Sequence, residues 1–147
     1  MNTFPVRRCS AALAYSVTQK GELRIVLVSN KSKDTFLFPK GGIEPGLSPE
    51  QNAQKECREE AGIDCADHGF SLGSYEFYKK GIVNQVEVFA LFTDGRDAPK
   101  GFRTEGRNVL WIEPDRALEC VDRHLAPFII RLMGHIEGQT LHDSRKK

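Results

Sequence analysis

The chain has few cysteines, little net charge and no long apolar run, so its composition does not place it in a specialised class of protein. Its 147 residues contain four cysteines with no C-x-x-C pair, a formal net charge of only +1, and no apolar run near the roughly 20 residues that cross a bilayer. The cysteine spacing favours reduced thiols, with a zinc site or a disulfide framework as the alternatives. Because the charges balance, no nucleic-acid partner or membrane surface is expected, and local groups must bind any anionic ligand.

The N-terminal residues also lack the features of a secretory signal. MNTFPVRR contains no long apolar stretch, so we expect a cytoplasmic protein. No repeat, low-complexity tract or linker divides the chain, and its 39% hydrophobic and 28% charged residues are ordinary for a globular protein. We therefore expect a single domain over residues 1–147.

Apolar patterning predicts a chain of mixed strands and helices. The predicted strands cover residues 9–17, 23–29, 36–39, 69–78, 83–93 and 109–112, and the predicted helices cover 49–61, 114–121 and 124–134. The segment KGGIEPG is predicted to be a loop, the polar end TLHDSRKK to be frayed, and Trp111 to lie in the core.

The helix over residues 49–61 has the clearest boundaries. Ser48 and Gln51 form a capping box, Pro49 suits the first helical position, and Gly62 suits a left-handed residue after the last turn. Ala53 lies on a face of small residues that recur every four positions, which allows close packing against a sheet.

Three glutamates, Glu56, Glu59 and Glu60, are predicted to share one face of this helix. Like charges at this spacing destabilise a helix by about 0.2 to 0.5 kcal/mol per pair, and the last turn is the unfavourable end of the dipole for anions. Nothing nearby in the sequence compensates them. The alternative is a solvated acidic face with Lys55 and Arg58 as partial partners. The adjoining glycine-rich segment favours a site for a divalent cation and a phosphate.

Residues 41–63, GGIEPGLSPEQNAQKECREEAGI, resemble the Nudix box, whose pattern is G-x5-E-x7-R-E-U-x-E-E-x-G-U, with U a bulky apolar residue. The matching positions are Gly41, Glu56, Glu59, Glu60, Gly62 and Ile63. The resemblance implies an α/β/α sandwich with a mixed, partly curved β-sheet. Outside the box, FPKGG and EGRNVLWIEPDRALECVDRHLAPFIIRLM resemble the diphosphoinositol polyphosphate phosphohydrolase branch, which also cleaves diadenosine polyphosphates.

Three positions depart from the box. Leu47 replaces the first glutamate, Lys55 replaces the arginine, and Cys57 replaces a larger apolar residue. In the family, that glutamate and arginine pair to brace the loop against the helix, so we expect the ion pair to be lost and Leu47 to hold the loop by packing. A weakly active or regulatory descendant is the alternative.

The resemblance implies a metal-dependent pyrophosphohydrolase in which water attacks phosphorus. It assigns Glu56, Glu59 and Glu60 as ligands of Mg²⁺ or Mn²⁺. The catalytic candidates are Glu59 and Glu60, with Glu105 as an alternative general base. The expected substrate is a phosphorylated small molecule, a dinucleoside polyphosphate or an inositol pyrophosphate. A nucleoside triphosphate or nucleotide-sugar hydrolase, a nucleotide-sensing module without turnover, and a homodimer all stay open.

Basic and glycine residues outside the glutamate triplet are the candidates for substrate binding. They are Arg7, Arg8, Lys40, Gly41, Gly42, Arg103, Arg107 and His124. For the charged members, simple solvation at the surface is the alternative, and for His124 helix capping is a further alternative.

Overall fold

The computed structural model describes residues 4–32, 34–66, 69–95 and 106–145. Apolar runs form the strands, and the segments with helical caps form the helices. In chain order, the elements are β1 (Val6–Val17), β2 (Leu23–Ser29), β3 (Phe36–Leu37), β4 (Lys40–Gly42), α1 (Pro49–Ala61), β5 (Phe70–Lys79), β6 (Ile82–Phe92), β7 (Val109–Ile112), α2 (Pro114–Cys120), a short 3-10 helix (Arg123–Leu125) and α3 (Ala126–Arg145).

All the described strands belong to one mixed sheet that does not close on itself. Its main order is β3-β2-β1-β6-β5, with β4 paired to β1 and β7 paired to β2. The long strand β1 is parallel to β6 along one edge. Along its other edge it is antiparallel to β4 near its start and to β2 near its end. The mixed sheet predicted from the family resemblance is therefore confirmed.

The two faces of the sheet carry separate cores. Helix α1 packs on one face through its small residues Ala53, Cys57 and Ala61. Helices α2 and α3 cover the other face, where Phe128, Ile129 and others are buried. Small residues let α1 approach the sheet closely, and this approach brings its glutamates near β4.

The ends of α1 are confirmed as predicted. The Ser48 hydroxyl accepts a hydrogen bond from the Gln51 N–H at 3.1 Å, and the Gln51 side chain accepts one from the Ser48 N–H at 2.9 Å. Gly62 is left-handed, with φ 68°, and its N–H donates to the Arg58 carbonyl. These caps fix where the helix starts and stops relative to the sheet.

Three local predictions are wrong. The expected loop begins with strand β4, because residues 40–42 pair with Ala11, Ser10 and Cys9 of β1. Trp111 is 39% exposed, because strand alternation directs its neighbours Leu110 and Ile112 to the core instead.

The third wrong prediction concerns the C-terminal end. Helix α3 runs on to Arg145; it passes through Gly134, where the predicted helix ended, and through Gly138. A glycine weakens a helix without ending it, and no proline follows these two.

All four cysteines are free, as expected. The closest thiols in the described part of the chain, Cys57 and Cys65, have sulfur atoms 3.5 Å apart in the core under α1. Within residues 4–32, 34–66, 69–95 and 106–145, no helix combines the length and the hydropathy required to span a membrane.

Candidate active site

Strand β4 places two glycines between an acid and a base. Gly41 and Gly42 are consecutive strand residues, so they face opposite sides of the sheet. A Cβ atom on Gly41 would overlap the Glu56 carboxylate, and a Cβ atom on Gly42 would lie 2.6 Å from Nη2 of Arg7. Only glycine leaves room for both neighbours, so the pair lies directly between Glu56 and Arg7.

Glu56 and Glu60 form a close carboxylate pair on α1. Glu60 is 5% exposed. Burial raises the pKa of Glu60 from 4.5 to about 8, and a hydrogen bond with Glu56 is the second cause of this shift. The positive charges of Arg107 and Lys40 act in the opposite direction. The Arg107 Nε lies 3.7 Å from Oε1 of Glu60, a distance at which the cation offsets the burial only in part. The pair therefore retains a proton where an isolated glutamate would not.

The third glutamate, Glu59, interacts with a different cation. Its Oε1 lies 2.5 Å from Nζ of Lys55, which also lies 2.9 Å from Oε1 of Glu44. The hydrogen bonds to Glu59 and then to Glu44 raise the pKa of Lys55 above its usual value. Lys55 thus joins the loop after β4 to the last turns of α1.

This contact corrects two sequence predictions. The ion pair between loop and helix was expected to be lost because Leu47 replaces the glutamate of the box, but Glu44 forms this ion pair with Lys55. The glutamates are also compensated locally, since Lys55 pairs with Glu59 and Arg107 lies near Glu60. Spacing along the helix does show the i,i+4 pair of Lys55 and Glu59, but it does not show that Glu44 and Arg107 come to the helix from other segments.

Lys40 extends the site along the other face of the sheet. Its Nζ lies 5.3 Å from the centroid of the Phe77 ring. Burial lowers the pKa of Lys40 from its usual value, Glu60 opposes this shift, and Arg107 and Lys79 add to it. A half-buried cation with other cations nearby is a favourable place for an anionic group.

Arg7 and Arg8 are both exposed but lie on opposite faces of β1. Arg7 covers Gly42 and shares the face of Lys40, whereas Arg8 lies on the face of Ser10. Of these two predicted substrate-binding residues, the structure brings Arg7 to the glycine pair and places Arg8 on the other face.

An aromatic strip leads away from Lys40 along β5. It consists of Phe77, Tyr75 and His124: the Phe77 and Tyr75 rings are stacked with centroids 6.4 Å apart, and His124 meets Tyr75 edge-on at 4.9 Å. Nδ1 of His124 lies 2.8 Å from Oδ1 of Asp122, which fixes the orientation of the ring. His124 therefore belongs to the same face as Lys40, some distance from the carboxylates.

The remaining predicted residues come from the segment before β7. Arg107 is largely buried, and its Nη1 donates to the Ser29 carbonyl at 3.0 Å. This bond anchors the guanidinium beside Glu60. Arg103 and Glu105 lie outside the described residues, so their predicted roles stay predictions.

Sequence reasoning missed Asn52 and Glu44. Asn52 is fully buried. Its amide donates to the Ser10 hydroxyl at 3.1 Å and to the Gly41 carbonyl at 3.3 Å, and its oxygen accepts from the Glu44 N–H at 3.1 Å. The sequence signal that could have identified Asn52 was its position directly before Ala53, on the side of the helix that packs against the sheet, where a polar amide needs hydrogen-bond partners.

The three glutamates of α1 fit a divalent cation only in part in the arrangement that the structure shows. In the part of the chain that the structure describes, no group of three or more acidic, histidine or cysteine side chains is arranged around one point as metal ligands, in agreement with the turn of Glu59 towards Lys55. The Glu56–Glu60 pair does fit, because two carboxylates in hydrogen-bond contact require a shared proton or a cation to offset their repulsion.

Comparison with known proteins shows one consistent family. The family model described as NUDIX domain matches residues 7–132. The Arabidopsis thaliana protein named "Nudix hydrolase 12, mitochondrial" is 30% identical over an alignment that covers 85% of this chain and 70% of that protein. "Nudix hydrolase 17, mitochondrial", from the same plant, is 36% identical, but the alignment covers 40% of this chain and 32% of that protein. The chain thus spans between about a third and 70% of these two relatives.

Solved structures with low sequence identity share the fold. A C. elegans Ap4A hydrolase, crystallised as a binary complex, superposes with a TM-score of 0.70 at 17% identity and covers 90% of this chain and 98% of its own. A MutT protein from Methanosarcina mazei Go1 superposes with a TM-score of 0.63 at 18% identity and covers 92% and 98% of the two chains.

Proposed function

This chain belongs to the Nudix family, and on that premise we propose that it is a metal-dependent pyrophosphohydrolase, which cleaves a diphosphate linkage in a phosphorylated small molecule. One observation carries the proposal: Glu56 packs directly on Gly41 and is hydrogen-bonded to the buried Glu60, whose charge is opposed by Arg107 and Lys40. Acidic groups that bind a cation and basic groups that bind phosphate thus meet at one strand.

Glu56 and Glu60 would hold Mg²⁺ or Mn²⁺, with Glu59 joining as a third ligand or acting as the general base. The ion would supply a Lewis acid for the phosphate and make the attacking water more acidic. Arg107, anchored on the Ser29 carbonyl, lies near Glu60 and limits the negative charge of the pair. Lys40 and Arg7 bind the phosphate oxygens on the other side of the glycines, and so orient the linkage towards the carboxylates.

Among substrates, we favour a dinucleoside polyphosphate over an inositol pyrophosphate. The support is the aromatic strip, which begins 5.3 Å from Lys40 and presents ring faces and edges suited to a nucleobase. The similarity in fold to the C. elegans Ap4A hydrolase agrees with this choice. An inositol ring has no aromatic face to stack on such a strip. A nucleoside triphosphate or a nucleotide sugar would also fit the strip, so both belong in the test.

The test is a panel of diadenosine tetraphosphate, inositol pyrophosphates, nucleoside triphosphates and nucleotide sugars, each with Mg²⁺ and with Mn²⁺. Mass spectrometry in ¹⁸O-water identifies the products and the phosphorus that water attacks. We expect the dinucleoside polyphosphate to be cleaved with the highest kcat/KM. Tight nucleotide binding without cleavage of any compound would instead identify a sensing module.

Glu56→Gln and Glu60→Gln test the site itself. Each should lower kcat by at least about 100-fold while the protein stays folded, because the carboxylate charge is lost without a change in shape. Glu22→Gln, which removes an exposed carboxylate in the turn between β1 and β2, is the matched control and should keep full activity. Full activity of Glu56→Gln would disprove the assignment.

Residues 1–147 as a single domain and a cytoplasmic location also stay proposals. Two of the relatives carry the word mitochondrial in their names, so the location is best tested by imaging the tagged full-length chain. Sedimentation of the purified protein would show whether it is a monomer or a homodimer.

A further inference from the structure

A tight turn brings Glu44 next to position 47. The Leu47 N–H donates to the Glu44 carbonyl at 3.1 Å, Pro45 occupies the second position, and Gly46 has a φ of 86°, as in a type II β-turn. The first and last residues of such a turn lie within about 7 Å of each other. A carboxylate at position 44 can therefore reach Lys55, the residue that a carboxylate at position 47 would pair with in the Nudix box.

The backbone at Glu44 is also fixed against α1. Its N–H donates to Oδ1 of Asn52, and the Asn52 amide holds the Gly41 carbonyl and the Ser10 hydroxyl. Asn52 is fully buried, so the Asn52 end of each bond is shielded from water. Asn52 therefore links the turn and Gly41 to α1 by hydrogen bonds, and the Glu44 side chain reaches Lys55 from a backbone position that is fixed.

Lys55 is shared between two carboxylates, Glu44 at 2.9 Å and Glu59 at 2.5 Å. If Glu44 were neutral, Lys55 would pair with Glu59 alone. The lysine would then compete more strongly with any cation or water for the Glu59 carboxylate.

We propose that Glu44 is a positioning residue of this site, which acts through Lys55 to orient Glu59 and supplies the loop-to-helix ion pair for which position 47 has no carboxylate. This inference rests on the proposed hydrolytic function. It also explains how the chain does without the glutamate of the Nudix box at position 47. Restoring Leu47→Glu together with Lys55→Arg should accordingly raise turnover less than about threefold, because the ion pair is already present.

The decisive variant is Glu44→Gln, which keeps the size of the side chain and removes its charge. We expect kcat to fall about tenfold with KM changed less than about twofold, because Glu59 would be misplaced for the reaction while the phosphate-binding residues stay intact. The melting temperature should hardly change, since an ion pair this exposed contributes little to folding.

Glu22→Gln is a closely matched control. Glu22 is 53% exposed and lies 2.8 Å from Arg24, whose side chain is 26% exposed; Glu44 is 52% exposed and pairs with Lys55, also 26% exposed. Both variants break an ion pair of the same kind, but only Glu44→Gln should reduce kcat.

Rescue separates positioning from general damage. The double variant Glu44→Gln with Leu47→Glu moves the carboxylate across the turn and should recover most of the lost kcat. Unchanged kcat in Glu44→Gln, an equal loss in Glu22→Gln, or no recovery in the double variant would each overturn the inference.

A second readout does not depend on turnover. Mn²⁺ alone is titrated against each protein and followed by electron paramagnetic resonance. Glu44→Gln should weaken Mn²⁺ binding at least about threefold, and Leu47→Glu should restore it. If the natural chain cleaves nothing, the proposed function fails, but this titration still decides the role of Glu44: equal Mn²⁺ affinities in all the variants would refute it.

Discussion

Gly41→Ala is expected to disable the site without unfolding the protein. A Cβ atom at this position would lie 2.5 Å from Cδ of Glu56, whereas ordinary contacts are 3.4–4 Å, so the carboxylate must move by about 1 Å. The backbone of Gly41 has no positive φ, so alanine introduces no strain of its own. A displacement of about 1 Å can reduce a rate about 100-fold, equivalent to ~2.7 kcal/mol in the activation free energy.

The assay compares Gly41→Ala with Gly42→Ala, in steady-state kinetics and in Mn²⁺ binding. On Gly42, the new atom meets the end of the Arg7 side chain, which is exposed and can move away. We therefore expect Gly41→Ala to lower kcat and Mn²⁺ affinity, and Gly42→Ala mainly to raise KM. If Gly41→Ala kept the natural kcat, the close packing of Glu56 on β4 would have no part in catalysis.

Two further predictions concern pH and helix stability. The pKa of Glu60 rises from 4.5 in the unfolded chain to about 8 in the metal-free fold. The stability of the metal-free protein, measured by denaturation, should therefore decrease as pH rises through this window. The affinity for Mg²⁺, measured by calorimetry, should increase over the same window by up to about tenfold per pH unit. Gly134→Ala should stabilise α3 by about 0.5 to 1 kcal/mol in thermal unfolding, because the new methyl group meets nothing within 4 Å; lower stability would mean that this glycine is not in a regular helix.

The local signals in the sequence predicted most of the fold. Helix α1 has its predicted bounds because the capping box and Gly62 act through neighbouring backbone groups alone. Strands β2 and β7 also have their predicted bounds, since their apolar runs are bounded by polar residues. The prediction failed for β4, because a strand of three residues has no pattern of its own and forms only through pairing with β1.

The candidate site was predictable in its residue types and less so in its pairings. The glutamates and Gly41 stand in one recognisable motif, and the structure places Gly41 directly on Glu56. The partners that Glu44, Asn52 and Arg107 find come from elsewhere in the chain, up to 78 residues away for Arg107 and Ser29. Such contacts depend on tertiary packing, which spacing within one segment cannot show.

The opposite orientations of Gly41 and Gly42 have a consequence for the shape of a ligand. Glu56 lies against one side of β4, and Arg7 and Lys40 lie on the other side. A molecule that touches both groups must pass around the rim of the sheet, so its middle has to be narrow and flexible. A linear chain of phosphates meets that demand, with one end of the molecule on each side of the strand, whereas a compact rigid group could occupy only one side at a time.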